Sequence, residues 1–202
     1  MGVEKGTLIW FTGIPASGKS TIAGEVEKEL RRRGIKVENL DADEIRANLS
    51  PDLGYTAEAR DINTKRLAFM GKMMARNGVS TIVAAVSSLR RFRDRARDWV
   101  DQFVEVWVKC PVDECQVRDP KGLYARAARG EVSDIAGLHQ PYEEPLKPEL
   151  ILETKDLTVE ECARKVIEKL EELKYIPVQG GAYSEEDEEK IMERLKGLGY
   201  VE

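Results

Sequence analysis

The chain has 202 residues, 42% of them hydrophobic and 34% charged, and carries a net charge of -5. That length buries one sizeable core and leaves little room for a second full domain; the acidic balance argues against a global nucleic-acid or anionic-membrane surface while permitting a local basic pocket. Three cysteines (Cys110, Cys115 and Cys162) are too few and too scattered for a disulfide framework or a cysteine zinc site, and with no signal-peptide pattern and no apolar run near the roughly 20 residues of a membrane span, a reduced cytoplasmic setting is expected.

Apolar runs and helical stretches alternate along the chain. Residues 7–11 form a buried strand, Thr7-Leu8-Ile9-Trp10-Phe11, followed by glycine-rich punctuation and a helix over 18–33. A second strand is predicted at 36–40, a short helix at 43–49 and a long one at 57–77 that ends at Gly78. Residues 80–86 and 104–109 are predicted strands on either side of a helix at 90–102, the second stopped by Pro111. A basic helical segment at 123–129, a fifth strand at 150–153 and an amphipathic helix at 159–174 complete the pattern. Wholly apolar strands separated by helices predict a parallel sheet covered on both faces, a three-layer, doubly wound α/β domain over 1–174. Residues 175–202 are predicted as an extension: a loop over 175–183, then a helix opened by Ser184 with Ile191, Leu195 and Leu198 at helical spacing.

The strongest local signal follows the first strand. Gly13-Ile14-Pro15-Ala16-Ser17-Gly18-Lys19-Ser20 fits the phosphate-binding pattern G-x-x-x-x-G-K-[ST]. Its glycines let backbone N–H groups close around phosphate oxygens, and the helix N-terminus adds partial positive charge. Gly13, Ser17, Gly18, Lys19, Ser20 and Thr21 are therefore the expected contacts of ATP, with Lys19 on the outer phosphates and the Ser20 hydroxyl on Mg2+. Strand, loop and helix together predict a P-loop nucleotide-binding fold.

Leu40-Asp41-Ala42-Asp43 closes the second strand at the sheet edge where open parallel sheets bind ligands. A carboxylate there could hold a magnesium-bound water (Asp41) or take the proton of an acceptor hydroxyl (Asp43). Either aspartate could also simply cap the following helix. Arg46 and Arg60 flank a tight loop, Asp52-Leu53-Gly54-Tyr55, and are candidate anion ligands, whereas Lys65 fits a solvated helix face equally well. Further on, Arg118-Asp119-Pro120-Lys121-Gly122-Leu123-Tyr124 leads into Ala125-Arg126-Ala127-Ala128-Arg129-Gly130. Its composition suits a phosphate-closing lid and equally an ordinary surface helix. His139 is read as a loop histidine, since phosphoryl transfer has no need of imidazole.

In this order the segments resemble the adenylylsulfate kinases, which phosphorylate the ribose 3′-hydroxyl of adenosine 5′-phosphosulfate with MgATP. The likeness runs over about 6–174. Asp41-Ala42-Asp43 is similar to the family's Asp-Gly-Asp, the stretch from Ile45-Arg46 to Arg60, Asn63 and Arg66 resembles its acceptor segment, and 118–124 resembles its lid signature almost letter for letter. Gly137-Leu138 and Pro141-Tyr142-Glu143-Glu144-Pro145 resemble its acceptor loop. The resemblance implies that Arg46, Arg60, Asn63, Ser87 and Lys121 handle the phosphosulfate, that Arg118 sits over ATP, and that Tyr55 stacks on the acceptor's adenine. It also implies a homodimer. Lys19, Asp43 and Ser87 are then the residues closest to the chemistry.

Four positions depart from the family pattern. Ser88-Leu89 stands for Pro-Tyr, Ile135-Ala136 for Phe-Thr, Ala42 for Gly, and residues 175–202 run past the usual end. At the second of these, Ile135 is expected to form an apolar wall opposite Tyr55, or else to anchor the loop from within. The activity expected is phosphorylation of adenosine 5′-phosphosulfate. A kinase of the same fold with another small acceptor is the alternative. A nucleotide-dependent switch fits least, because no Asn-Lys-x-Asp element is present and the lid is rich in cations.

Overall fold

The structure is a computed structural model that describes residues 5–178. Five strands form one wholly parallel sheet in the order β2-β3-β1-β4-β5. They are β1 (Leu8–Thr12), β2 (Val37–Asp41), β3 (Ser80–Ala84), β4 (Phe103–Lys109) and β5 (Leu150–Glu153). Leu8 lies beside Thr81 on one side and Phe103 on the other, so β1 is the middle strand and the chain crosses in opposite directions from it. That reversal opens a crevice at the C-terminal ends of β1, β3 and β4, where doubly wound sheets take ligands.

Side-chain alternation along β1 sends Ile9 and Phe11 to one face and Leu8 and Trp10 to the other, all fully buried. On the first face, α1 (Lys19–Arg32) and α7 (Val159–Glu172) contribute Ile22, Val26, Leu30, Val166, Ile167 and Leu170. On the second, α3 (Ala57–Ala75) and α4 (Arg90–Trp99) contribute Leu67, Ala68, Ala75 and Ala96. Ile176 also buries against the first cluster, so the core runs past residue 174 into the start of the extension. The helix expected after Ser184 lies outside the described residues. Among the described residues no helix is long and apolar enough to cross a membrane, and all three cysteines are buried and free.

The strand order could not be read from the sequence, but the element pattern could. The first two strands sit one residue later than predicted, and α2 (Ala42–Leu49) starts directly after β2 because Asp41 caps it. The predicted strand at 80–86 ends its ladder at Ala84, and the helix predicted to 102 stops at Trp99. One helix escaped the sequence reading: α5 (Val112–Arg118), where Pro111 was expected only to stop a strand. Pro111 is instead the N-cap, Asp113 and Glu114 supply the first-turn charge, and Cys115 is the buried residue, so no apolar stripe advertises the helix. The basic segment forms α6 (Leu123–Ala128).

Candidate active site

β1 delivers the chain into the phosphate loop with no room for a side chain. A Cβ on Gly13 would stand 2.5 Å from the Val108 carbonyl oxygen and 2.9 Å from Ser17 Oγ. Gly18 (φ 103°) turns the chain into α1, and Ala16 holds φ 61°, a conformation sparsely populated outside glycine. Lys19 is almost wholly buried, its Nζ donating to the Ile14 carbonyl (2.8 Å) and Ser17 Oγ (3.4 Å). Burial pushes its pKa down from 10.5 to about 8. The first turn of α1 carries no acidic residue, and Ser20 and Thr21 stand exposed on it. A tight glycine-lined loop, a buried amine folded into it and an open helix N-terminus are what a polyphosphate requires.

Asp41 caps the following helix and also faces the phosphate loop. Its Oδ1 accepts from the Asp43 N–H (2.9 Å) as the cap of α2, while its Oδ2 accepts from Ser20 Oγ (2.9 Å). Ser20 and Asp41 together present the hard oxygen donors that suit Mg2+. Asp43, two residues further on, accepts a hydrogen bond from Lys121 Nζ, which raises the lysine's pKa. Both side chains are more than two-thirds exposed (71% and 72%), so the pair is cheap to break.

The remaining cations divide by job. Arg46 lies over the Tyr55 ring (4.5 Å to its centre) and donates to the carbonyls of Leu53 and Gly54. Arg60 donates to the Tyr55 carbonyl (2.9 Å) and to that of Asp134, bridging α3 to the loop before Ile135. Burial lowers its pKa, chiefly through lost hydration. Asn63 is buried with Oδ1 unpartnered. Arg66 ties down Leu49, Ser50 and Asp52, a structural task, and Lys65 is exposed. Across the phosphate loop, Arg118 donates to the Thr154 carbonyl (2.7 Å), and Thr154 Oγ1 donates in turn to the Ser17 carbonyl (3.0 Å). Arg118 thus stands on the β4–β5 side of the loop, while Asp41 and Asp43 stand on the β2 side. A cavity of about 630 Å³ lies beyond the 137–144 loop, between it and β4, but Lys19, Asp41 and Asp43 do not line it.

The family model for adenylylsulphate kinase matches residues 5–153 of this chain. The chain belongs to the adenylylsulphate kinase family. It is 45% identical over 173 residues to the adenylyl-sulfate kinase of Halothermothrix orenii, covering 86% of this chain and 94% of that one. The adenylyl-sulfate kinase of Rippkaea orientalis is 43% identical over 173 residues, with 86% and 96% covered. The structure of the Mycobacterium tuberculosis APS kinase CysC in complex with AMPPNP and APS superposes with a TM-score of 0.79 at 38% identity, covering 83% of this chain and 98% of that one.

Within this adenylylsulphate kinase framework one expectation needs correction. Ile135 is not a wall open to a ligand: it is 2% exposed and packs with Ile14, Cys110, Cys115 and Tyr124. Its carbonyl accepts from the N–H groups of Leu138, His139 and Gln140, so the loop is wound around a buried anchor. Gly137 (φ 86°) closes that winding against Ile14, which a Cβ would meet at 2.7 Å. His139 is exposed, its Nδ1 accepting weakly from the Ile135 N–H (3.4 Å).

Sequence reasoning missed the buried polar layer behind the site. Arg93, Glu105, Arg97 and Glu149 form a linked set of ion pairs, with Arg93 and Glu105 almost wholly buried. The available signal was Glu105, a lone carboxylate inside the strand Phe-Val-Glu-Val-Trp-Val-Lys, which needs a cation to be buried. Tyr142, which the sequence placed in the acceptor-like loop without a contact of its own, has its hydroxyl 3.0 Å from Thr12 Oγ1, joining that loop to the end of β1.

Proposed function

We propose that this protein transfers the γ-phosphoryl group of ATP to the 3′-hydroxyl of adenosine 5′-phosphosulfate, giving 3′-phosphoadenosine 5′-phosphosulfate and ADP. The observation that carries the reading is the chain of contacts from Ser20 to Asp41, from Asp41 to the Asp43 N–H, and from Asp43 to Lys121 of the Arg-Asp-Pro-Lys-Gly-Leu-Tyr segment. It brings the phosphate loop, the acidic pair and the lid-like segment to one edge of the sheet, in a chain whose family relatives carry this activity by name.

In this reading the backbone of 13–20 and Lys19 hold the phosphates of ATP, and Arg118 with Thr154 borders the nucleotide on the β5 side. Ser20 and, through water, Asp41 would hold magnesium, which when bound neutralises phosphate charge. Asp43 receives or orients the proton of the acceptor hydroxyl. Arg46, Arg60, Asn63, Ser87 and Lys121 bind the anionic end of the acceptor, and Tyr55, 60% exposed, offers a ring to its adenine. Lys121 neutralises Asp43 in the free protein, so an arriving phosphosulfate competes for the lysine and frees the carboxylate. A homodimer in the cytoplasm completes the reading, and sedimentation of the purified chain tests the dimer.

The decisive experiment measures ADP release with MgATP across candidate acceptors. Turnover that depends on adenosine 5′-phosphosulfate is the expected result. MgATP binding with no turnover of that acceptor would transfer the site to another small hydroxyl compound.

A further inference from the structure

We propose that Arg93 is a positioning residue for the acceptor: from beneath the site it clamps the turn at Ser87 to the 140–145 loop and so sets the distance between two walls of the acceptor cleft. The proposal rests on the reading that Ser87 and that loop bound the acceptor.

Arg93 lies on α4 and is 1% exposed, so it is not a ligand itself. Its guanidinium donates in three directions: Nε to Glu105 Oε1 (2.6 Å), Nη1 to the Ser87 carbonyl and Nη2 to the Glu143 carbonyl (2.6 Å). It also lies 5.8 Å from the centre of the Tyr142 ring, whose hydroxyl reaches Thr12 beside the phosphate loop. A guanidinium is a rigid planar fork, so two carbonyls on its two terminal nitrogens are held at one separation.

Two observations argue that the fork does more than fill space. Ser87 holds φ 44°, a conformation a serine keeps only where its surroundings over-determine it. Those surroundings are Arg93 on its carbonyl and the Trp10 Nε1–H on its Oγ (3.1 Å). The second observation concerns cost. Burying Arg93 with Glu105 requires Arg97 and Glu149 as further partners, and Glu149 also accepts from the Glu105 N–H (2.7 Å). Replacing a buried ion pair by an apolar pair of similar volume is often neutral or stabilising, so filling the space does not require the charges. What it could not supply is a directed bond to each wall. The walls do touch directly, through the Glu143 N–H on the Ser88 carbonyl (2.8 Å) and the Arg90 N–H on Glu143 Oε2 (2.8 Å). Those bonds join the loop to the residues after Ser87, and the Arg93 fork adds the bond to Ser87 itself.

The test uses two variants of the full chain. Arg93→Lys keeps a charge beside Glu105 but loses the fork. Arg93→Met combined with Glu105→Leu removes both charges, so no buried carboxylate is left without a partner. In each folded variant kcat/KM for adenosine 5′-phosphosulfate should fall about tenfold or more, mainly through KM, while KM for ATP stays within about twofold. The indole N–H resonance of Trp10, assigned by its displacement in Ser87→Ala, should shift in both, because Trp10 reports on the Ser87 turn without any substrate. Should the double variant fail to fold, Arg93→Lys decides alone. An unchanged acceptor KM and an unmoved Trp10 resonance in a folded variant would reduce Arg93 to a core residue. A wild-type protein that ignores adenosine 5′-phosphosulfate would instead overturn the functional reading, and the Trp10 resonance would still judge the clamp.

Discussion

Lys19 is held inside the phosphate loop at a pKa of about 8, against 10.5 when solvated. Between those values the unfolded chain binds more protons than the folded one, so raising the pH from about 8 to 10.5 stabilises the free protein; below pH 8 the cost of the buried charge is fully present. Denaturant midpoints at pH 8 and pH 10 should show this gain in the wild type and lose it in Lys19→Met. Nucleotide affinity runs the other way, weakening as pH rises above about 8 because the neutral amine has no charge to offer the phosphates, and calorimetric titration with MgATP reads it. Lys19→Ala should fold normally yet lose about 10²–10³ in kcat, the scale of one preorganised electrostatic group. Near-normal turnover would remove the loop from the chemistry. Asp43→Asn should lower kcat by about 10²–10⁴ if the carboxylate serves as base, with ATP affinity little changed. An unaltered kcat would leave Asp43 as a first-turn residue of α2 and a perch for Lys121.

At the scale of elements, the loop over 135–140 decides a question that its letters left open. An isoleucine at a position where the family pattern it resembles has an aromatic could face the ligand or the interior, and hydrophobicity alone favours neither. The structure turns it inward, because Ile14, Cys110, Cys115 and Tyr124 leave an apolar gap between β4, α5 and α6 that a loop side chain must close. Ile135→Phe is therefore expected to overpack this gap and cost about 1–3 kcal/mol, with no tightening of the acceptor. Thermal melting and both KM values check it; a tighter acceptor KM with unchanged melting would mean that the ring has found the cleft. The same apolar gap accounts for α5, which the chain forms with one buried residue, and for the buried face of Tyr124, whose hydroxyl donates to the Pro15 carbonyl (3.1 Å) and so ties the lid-like helix to the phosphate loop.

Across the whole molecule, ligand binding and stability are one equilibrium. MgATP at about 100 times its Kd should raise stability by about 2.7 kcal/mol, which for a chain of this size is a Tm increase of about 5–10 °C. Chelating magnesium should remove most of that increase, since Ser20 and Asp41 then face phosphate charge unaided. Deleting 180–202 should leave turnover largely intact, because the phosphate loop, the acidic pair and the lid-like segment all lie within the described residues 5–178 and the core among them is already continuous through Ile176. A folded truncation without activity would place the extension in the active site.

Much of this protein was legible in its letters. Apolar strands alternating with helices determine a parallel, doubly covered sheet, and Gly13 to Ser20 determines a phosphate site, because both depend on local chemistry and short-range spacing. The tertiary structure decided the rest. The order β2-β3-β1-β4-β5 places Asp41 beside Ser20, 21 positions earlier, and Lys121 beside Asp43, 78 positions earlier. It also buries Arg93 against Glu105 and turns Ile135 into the interior. Such pairings depend on which surfaces meet after the chain has crossed over the sheet, and the pattern within a single element does not reveal them.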